Sequence, residues 1–129
     1  MYQEYKSAWA ALIAPGADFE IITTNVRGVD IRTYANAVPN LRDAWATTAA
    51  YAEREYLIYE GERLTYAEAH DRVNALGNWL IAQGVKSGDR VAIAMRNYPE
   101  WMLGYWATLS IGATVCLLYT SDAADESVG

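Results

Sequence analysis

Cysteine is nearly missing from this chain. Cys116 alone in 129 residues excludes an intramolecular disulfide framework and a cysteine-based zinc site, and it suits a reducing, cytoplasmic compartment. Basic residues are scarce too: ten Lys and Arg stand against sixteen Asp and Glu, a net charge of −6, and the ten form no cluster. Without that electrostatic footprint nucleic acid is not expected as a partner. The N-terminus, MYQEYKSAWAALIAPG, lacks a basic stretch followed by an apolar core and does not read as a secretory signal. No internal repeat or long linker interrupts residues 1–115.

What is present is apolar: 53% hydrophobic and 12% aromatic residues, a globular composition at the size of one modest domain. The chain is organised around Gly88 to Val115, which reads as strand, turn, helix, strand. The apolar run Val91–Met95 leads through Arg96-Asn97 into a helix predicted from Tyr98 to Ile111. At about 100° per residue, Trp101, Met102, Tyr105, Trp106 and Leu109 fall in one arc of roughly 140°, and small residues such as Gly104, Ala107 and Thr108 fall opposite. Asn97, three before Glu100, is placed to be the N-cap of a capping box, with Pro99 in the first turn and Gly112 as the stop. The flanking runs Val91–Met95 and Ala113–Leu118 lack polar alternation, as parallel strands covered on both faces do. The expected fold class is α/β: the truncated start of a doubly wound, mostly parallel sheet, preceded by helices and short antiparallel hairpins.

Upstream, Gln3 to Ala14 reads as a surface helix and Phe19 to Tyr34 as a hairpin with one wet face, turning at Arg27-Gly28. Pro39-Asn40 opens a helix predicted over Leu41 to Ala52, and a second hairpin turns at Glu60-Gly61-Glu62. Thr65 to Glu68 is a capping box, and its helix runs to about Gln83 with Ala69, Val73, Leu76 and Leu80 on one face, ended by Gly84. Trp101 to Tyr119 is nineteen residues without a charge, the length of a membrane span. The strand before it, Gly112 within it and the β-branched Thr114-Val115 pair oppose that reading, so stable membrane insertion is not expected.

Candidate chemistry is thin. Phosphate loops bring several glycines before a helix so that backbone N–H groups reach the anion, and Arg96-Asn97-Tyr98-Pro99 has none. His70 has Asp71 beside it, but consecutive helical residues do not face each other, and a partly exposed helix histidine is the plainer reading. Glu60 and Glu62 flank a hairpin glycine and read as solvated turn residues. Trp9, Trp45, Trp79, Trp101 and Trp106 sit at core-facing helical spacing, and Cys116 has no positive residue after it to lower its pKa. No catalytic, cofactor-binding or metal-ligating residue is therefore named.

Leu64-Thr65-Tyr66-Ala67-Glu68, with Ala69 where Leu is usual, resembles the first core motif of the AMP-forming acyl-CoA synthetases, the adenylate-forming superfamily of AMP-dependent synthetases and ligases. Gly88-Asp89-Arg90-Val91 followed by Ala94 to Trp101 resembles the next landmark, in a form typical of the fatty-acid or aromatic-acid branch. Leu109 to Val115 resembles the start of the second motif, which in the family continues toward a proline; here Cys116-Leu117-Leu118-Tyr119 follows and the likeness stops. The resemblance implies an N-terminal part of a synthetase large domain over residues 1–115, without the phosphate loop, nucleotide contacts and catalytic lysine that come later in the family. Residues 116–129, with the acids Asp122, Asp125 and Glu126, resemble read-through translation of a transposase-type sequencing adapter and are expected to be a non-native acidic tail. For the full-length parent the resemblance implies ligation of a small-molecule carboxylic acid to coenzyme A with ATP and Mg. The fragment itself is expected to bind none of these, to be inactive and to aggregate. The alternatives are a small membrane-anchored protein spanning at 101–119 and a standalone α/β binding module.

Overall fold

The computed structural model describes residues 2–118, so Asp122, Asp125 and Glu126 of the expected tail lie outside the described residues. The chain divides into two units at Pro39/Asn40.

The first unit holds helix α1 (Tyr2–Leu12) and the hairpin of β1 (Ile21–Val26) with β2 (Val29–Tyr34). The hairpin pairs in the expected register, Ile21 opposite Tyr34 and Val26 opposite Val29. Arg27 (φ 53°) and Gly28 (φ 85°) both take the left-handed conformation that a two-residue hairpin turn requires. Asn25 locks it: its Oδ1 accepts from Gly28 N at 3.0 Å, and its Nδ2 donates to Asp30 Oδ1 at 2.7 Å. The expectation of one wet face needs correction. No described residue of this unit is buried, and Ile22, Val26, Val29 and Ile31 are all exposed.

The second unit opens with α2 (Leu41–Thr47), capped by Asn40, whose side chain accepts from Asp43 N at 2.9 Å. This helix is shorter than predicted and gives way to a single 3₁₀ turn, Thr48–Tyr51. The hydroxyls of Thr47 and Thr48 donate to the carbonyls of Ala44 and Trp45 at 2.8 and 2.7 Å, three residues back, which competes with the α-helical ladder. Strands β3 (Glu55–Tyr59) and β4 (Glu62–Thr65) form the second hairpin around Glu60 and Gly61, both at positive φ. Helix α3 (Tyr66–Ala82) begins with the predicted capping box, both of its reciprocal bonds present. The bonds from Thr65 hold the Glu68 carboxyl below the usual range. Gly84, at φ 93°, follows the last turn.

Strands β5 (Arg90–Ile93) and β6 (Thr114–Leu117) pair in parallel, Val91 opposite Val115 and Ile93 opposite Leu117, and α4 (Pro99–Ser110) connects them. The βαβ unit is therefore present, and with the hairpins it makes an α/β architecture. The uncharged run from Trp101 is broken into α4, the Gly112 turn and β6, and no described helix is long and apolar enough to cross a membrane.

Three expectations change here. The cap of α4 is Tyr98, in extended backbone with no side-chain hydrogen bond, and not Asn97. A residue before proline is driven out of the helical region, so Pro99 moves the cap one position on and puts Glu100 out of capping-box register. The buried side of α4 is Leu103, Ala107 and Thr108, while the bulky arc of Trp101, Met102, Tyr105, Trp106 and Leu109 is only half-buried. Ala107 is buried there because α3 comes close: a Cβ on Gly77 would stand 3.8 Å from Ala107 O and 3.3 Å from Ile111 Cγ2, just past the helix. Finally, among the described residues only α4 packs on the β5–β6 pair; α3 packs on α4, the 3₁₀ turn and the second hairpin. Ala92 is exposed in consequence.

The core gathers Trp45, Ala69, Val73, Leu103 and Ala107, with Tyr56, Leu57, Tyr66, Leu76, Leu80 and Trp106 around it. Trp45 is 4% exposed, but Trp9 (47%) and Trp79 (57%) are not core residues. Trp79 lies about 200° around α3 from Gly77, on the side away from the Ala69–Val73–Gly77 seam.

Candidate functional site

In open α/β sheets ligands gather outside the carboxyl ends of the parallel strands. Here that place is the turn from β5 into α4. A cleft of about 390 Å³ lies beside it, with Leu57 and Tyr59 of the hairpin on one side and Tyr98, Pro99, Trp101 and Met102 on the other. The rings of Tyr59 and Tyr98 meet edge to face at 5.5 Å. Partial desolvation, then the hydrogen bond with Glu60, push the Tyr59 phenol up.

This turn is unsuited to phosphate. It carries no glycine, its first helical residue Pro99 has no N–H to offer, and Glu100 places a carboxylate in the turn where the helix dipole would favour an anion. The described residues also bring together no group of three or more His, Cys, Asp or Glu able to hold a metal ion. The phosphates of ATP and the Mg that accompanies them thus find no matching donor set in this turn.

His70 is placed by packing. Its ring stacks on Trp45 at 4.1 Å and 22°, and its Nε2 lies 2.9 Å from Thr48 Oγ1. Burial pushes its pKa down, with Asp71 opposing weakly, so it sits neutral beside the core. Glu60 occupies the hairpin turn at φ 46°, and Glu62 opens β4, both exposed. Cys116 is half-buried in β6, opposite Ala92. Glu60 and Glu62 line one surface cleft with Tyr98, Pro99 and Glu100, while His70 and Cys116 lie elsewhere.

Two polar features were not legible beforehand. Trp106 Nε1 donates to Tyr56 Oη at 2.7 Å across fifty positions of sequence, and burial pushes that phenol up while the bond opposes the shift. A second cleft, of about 500 Å³, opens between α2, α3 and the C-terminal end of α4, lined by Arg42, Trp45, His70, Asn74 and Asn78 among others. Only the i, i+4 spacing of Asn74 and Asn78 is a local sign of it; the meeting of three helices is tertiary.

Comparison with known proteins places this geometry. The medium-chain fatty-acid–CoA ligase of Escherichia coli (strain K12) is 33% identical over 76 residues, covering 57% of this chain and 13% of the ligase. The 2-succinylbenzoate–CoA ligase of Bacillus pumilus is 34% identical over 76 residues, again 57% of this chain and 16% of the ligase. The chain thus spans less than a fifth of the length of either relative. Among solved structures, the NpsA N-terminal subdomain of Klebsiella oxytoca superposes with a TM-score of 0.61 at 26% identity, over 63% of this chain and 22% of that one. The profile of the AMP-binding enzymes matches residues 44–128. Since that match takes in most of the chain, including the second hairpin, α3 and the βαβ unit, the chain belongs to the family of AMP-binding enzymes.

Proposed function

We propose that this chain is the N-terminal scaffold of an acid–CoA ligase of the AMP-forming type, from the fatty-acid or aromatic-acid branch, acting in the cytoplasm. In the full-length parent a small-molecule carboxylic acid, ATP with Mg and coenzyme A give the acyl-CoA, AMP and pyrophosphate. The chain contributes packing on the acid-binding side and does not carry the reaction by itself. The observation that carries this reading is the turn between β5 and α4, whose Pro99 and Glu100 leave an incoming phosphate without a cradle. The similarity of this segment to two CoA ligases supports the reaction class.

The test is pyrophosphate release from the purified chain with ATP, Mg, coenzyme A and a panel of fatty and aromatic acids. Release equal to a blank without protein is expected; reproducible acid-dependent release overturns the scaffold reading. The division into a family segment, 1–115, and a foreign tail, 116–129, belongs to the same proposal. Independent genomic DNA read across the Val115 codon should continue in frame into a proline-containing strand and a glycine-rich loop. A stop codon after Gly129 in that DNA overturns it. The exposed edges of β5 and β6 lead us to expect self-association of the chain alone.

A further inference from the structure

We propose that the free edge of β1 binds a second copy of this chain, so that two N-terminal hairpins join into one antiparallel sheet. The hairpin needs strands that its own unit does not supply. Within that unit β1 and β2 pack only on each other, and none of the described residues there is buried. A lone two-stranded hairpin is marginal in water, whereas three or more strands with an apolar face make a stable sheet. Cross-strand partners share a face, so the register gathers Ile22, Thr24, Val26, Val29, Ile31 and Thr33 on one side without a charge.

Backbone geometry identifies the open edge. Val26 and Val29 close the two-residue turn, and the closing pair of such a turn exchanges both of its backbone bonds. Alternation then turns the N–H and C=O of Ile22 and Thr24 inward to β2, in phase with the bond from Ala35 N to Glu20 O at 2.8 Å. Those of Thr23 and Asn25 face outward and meet no backbone partner among the described residues. Natural sheets blunt such an edge with charge, proline or a bulge. The neighbouring β2 carries Asp30 and Arg32, but β1, Ile-Ile-Thr-Thr-Asn-Val, is uncharged, unbroken in register and β-branched everywhere except Asn25. It also matches itself. Ile21 N already donates to Ile13 O at 3.4 Å, so a two-fold pairing is centred on Thr24, where it draws only on Thr23 and Asn25. Ile22 of each copy then faces Val26 of the other, and Thr23 exchanges backbone bonds with Asn25. The apolar sides of the two hairpins run together, and the charged β2 strands lie outermost. That closes the assembly at two copies.

Disulfide cross-linking of the full chain reads this register. In a Cys116→Ser background, Thr24→Cys puts its thiol at the two-fold axis, where the facing Cα atoms of a non-hydrogen-bonded pair stand about 4.5 Å apart, within reach of a disulfide. Oxidised glutathione should convert it to a covalent dimer on a non-reducing gel. Ile31→Cys lies on the same side but on the outer strand, about 14 Å from its mate at ~4.8 Å per strand, and should link about tenfold more slowly. Thr23→Pro, added to Thr24→Cys, removes one outward N–H from each copy while leaving the β1–β2 ladder whole. The lost bonds should slow dimer formation about tenfold. Association through β5 or β6 has no register at Thr24 and does not favour it over Ile31. Equal linking at Thr24 and Ile31, which stacked faces or unspecific clumping would give, overturns the proposal. So does a Thr24→Cys chain that forms no dimer, or one whose rate Thr23→Pro leaves unchanged.

Discussion

Replacing Trp45 separates what its ring contributes from what its N–H costs. A buried tryptophan removes about 150–250 Å² from water, which at ~25 cal/mol per Å² amounts to about 4–6 kcal/mol; measured losses for truncation to alanine are about 3–5 kcal/mol. Here the ring contacts His70, Trp106 and Tyr56 at centroid separations of 4.1, 5.0 and 5.4 Å, so most of that loss applies. Against it stands the unpaired Nε1–H, whose burial costs about 1–3 kcal/mol and disappears with the side chain. Trp45→Ala should therefore destabilise the second unit by about 2–4 kcal/mol. Trp45→Phe gives up ~1–2 kcal/mol of packing and regains a similar amount from the missing donor, so it should lie within about 1 kcal/mol of the parent. Urea unfolding followed by far-ultraviolet circular dichroism at low protein concentration reads the difference. A slope of about 1–3 kcal/mol per molar turns the alanine loss into a midpoint shift of roughly 1–3 M. If phenylalanine proves as damaging as alanine, the N–H is satisfied in solution and the reasoning fails; if alanine is harmless, the core is not assembled around Trp45.

Gly112→Ala should lower the unfolding midpoint for two reasons: φ is 78°, worth about 1–2 kcal/mol for a side chain with a Cβ, and the new Cβ would stand 2.7 Å from Ser87 Oγ. Adding Ser87→Gly should recover only the contact part, and full recovery in thermal melts would show that the backbone carries no strain. Thr65→Ala removes the cap of α3 and should cost about 1 kcal/mol in urea titrations, against no change if water substitutes fully. Stability should fall on acidification in two windows. His70, its pKa depressed by burial, stays neutral in the fold while the unfolded chain takes up a proton, so its contribution is intact above about pH 6.5 and is lost as pH falls below it. Glu68, depressed by its bonds from Thr65, acts the same way below its unfolded value of 4.5. Melting points that stay level from pH 7 to pH 5 in the parent, or that fall equally in His70→Gln, would refute the first window. Ala92→Lys puts a charge on the exposed face of β5 and should reduce self-association in sedimentation velocity; an unchanged distribution would mean that the sheet is not the sticking surface.

Local chemistry made much of this chain readable. The Thr65/Glu68 capping box, the Asn40 cap and the Arg27-Gly28 and Glu60-Gly61 turns all depend on neighbours in sequence, the two apolar runs showed the parallel pair by their lack of polar alternation, and the ordered motifs around them were enough to point to the family. Where two local signals competed, the stronger backbone constraint won. Pro99 overrode Asn97 as the start of α4, and the threonine hydroxyls at 47 and 48 ended α2 early.

Tertiary structure decided which faces count. Periodicity gave α4 a bulky arc and a small one with no means of ranking them, and the approach of α3 at Gly77 selected the side of Leu103, Ala107 and Thr108 for burial. The same approach left Trp79 outside and drew Trp45 in between His70 and Trp106, residues 25 and 61 positions away in sequence. It also assembled the cleft around Arg42, Asn74 and Asn78, because a hollow made where three helices meet has no spacing within any one of them. Sequence alone determined what each segment would become, since hydrogen bonds within turns and helices close over a few residues. Only the packed chain determined which donors found acceptors, and among the buried side chains of the described residues Trp45 Nε1–H is left without one.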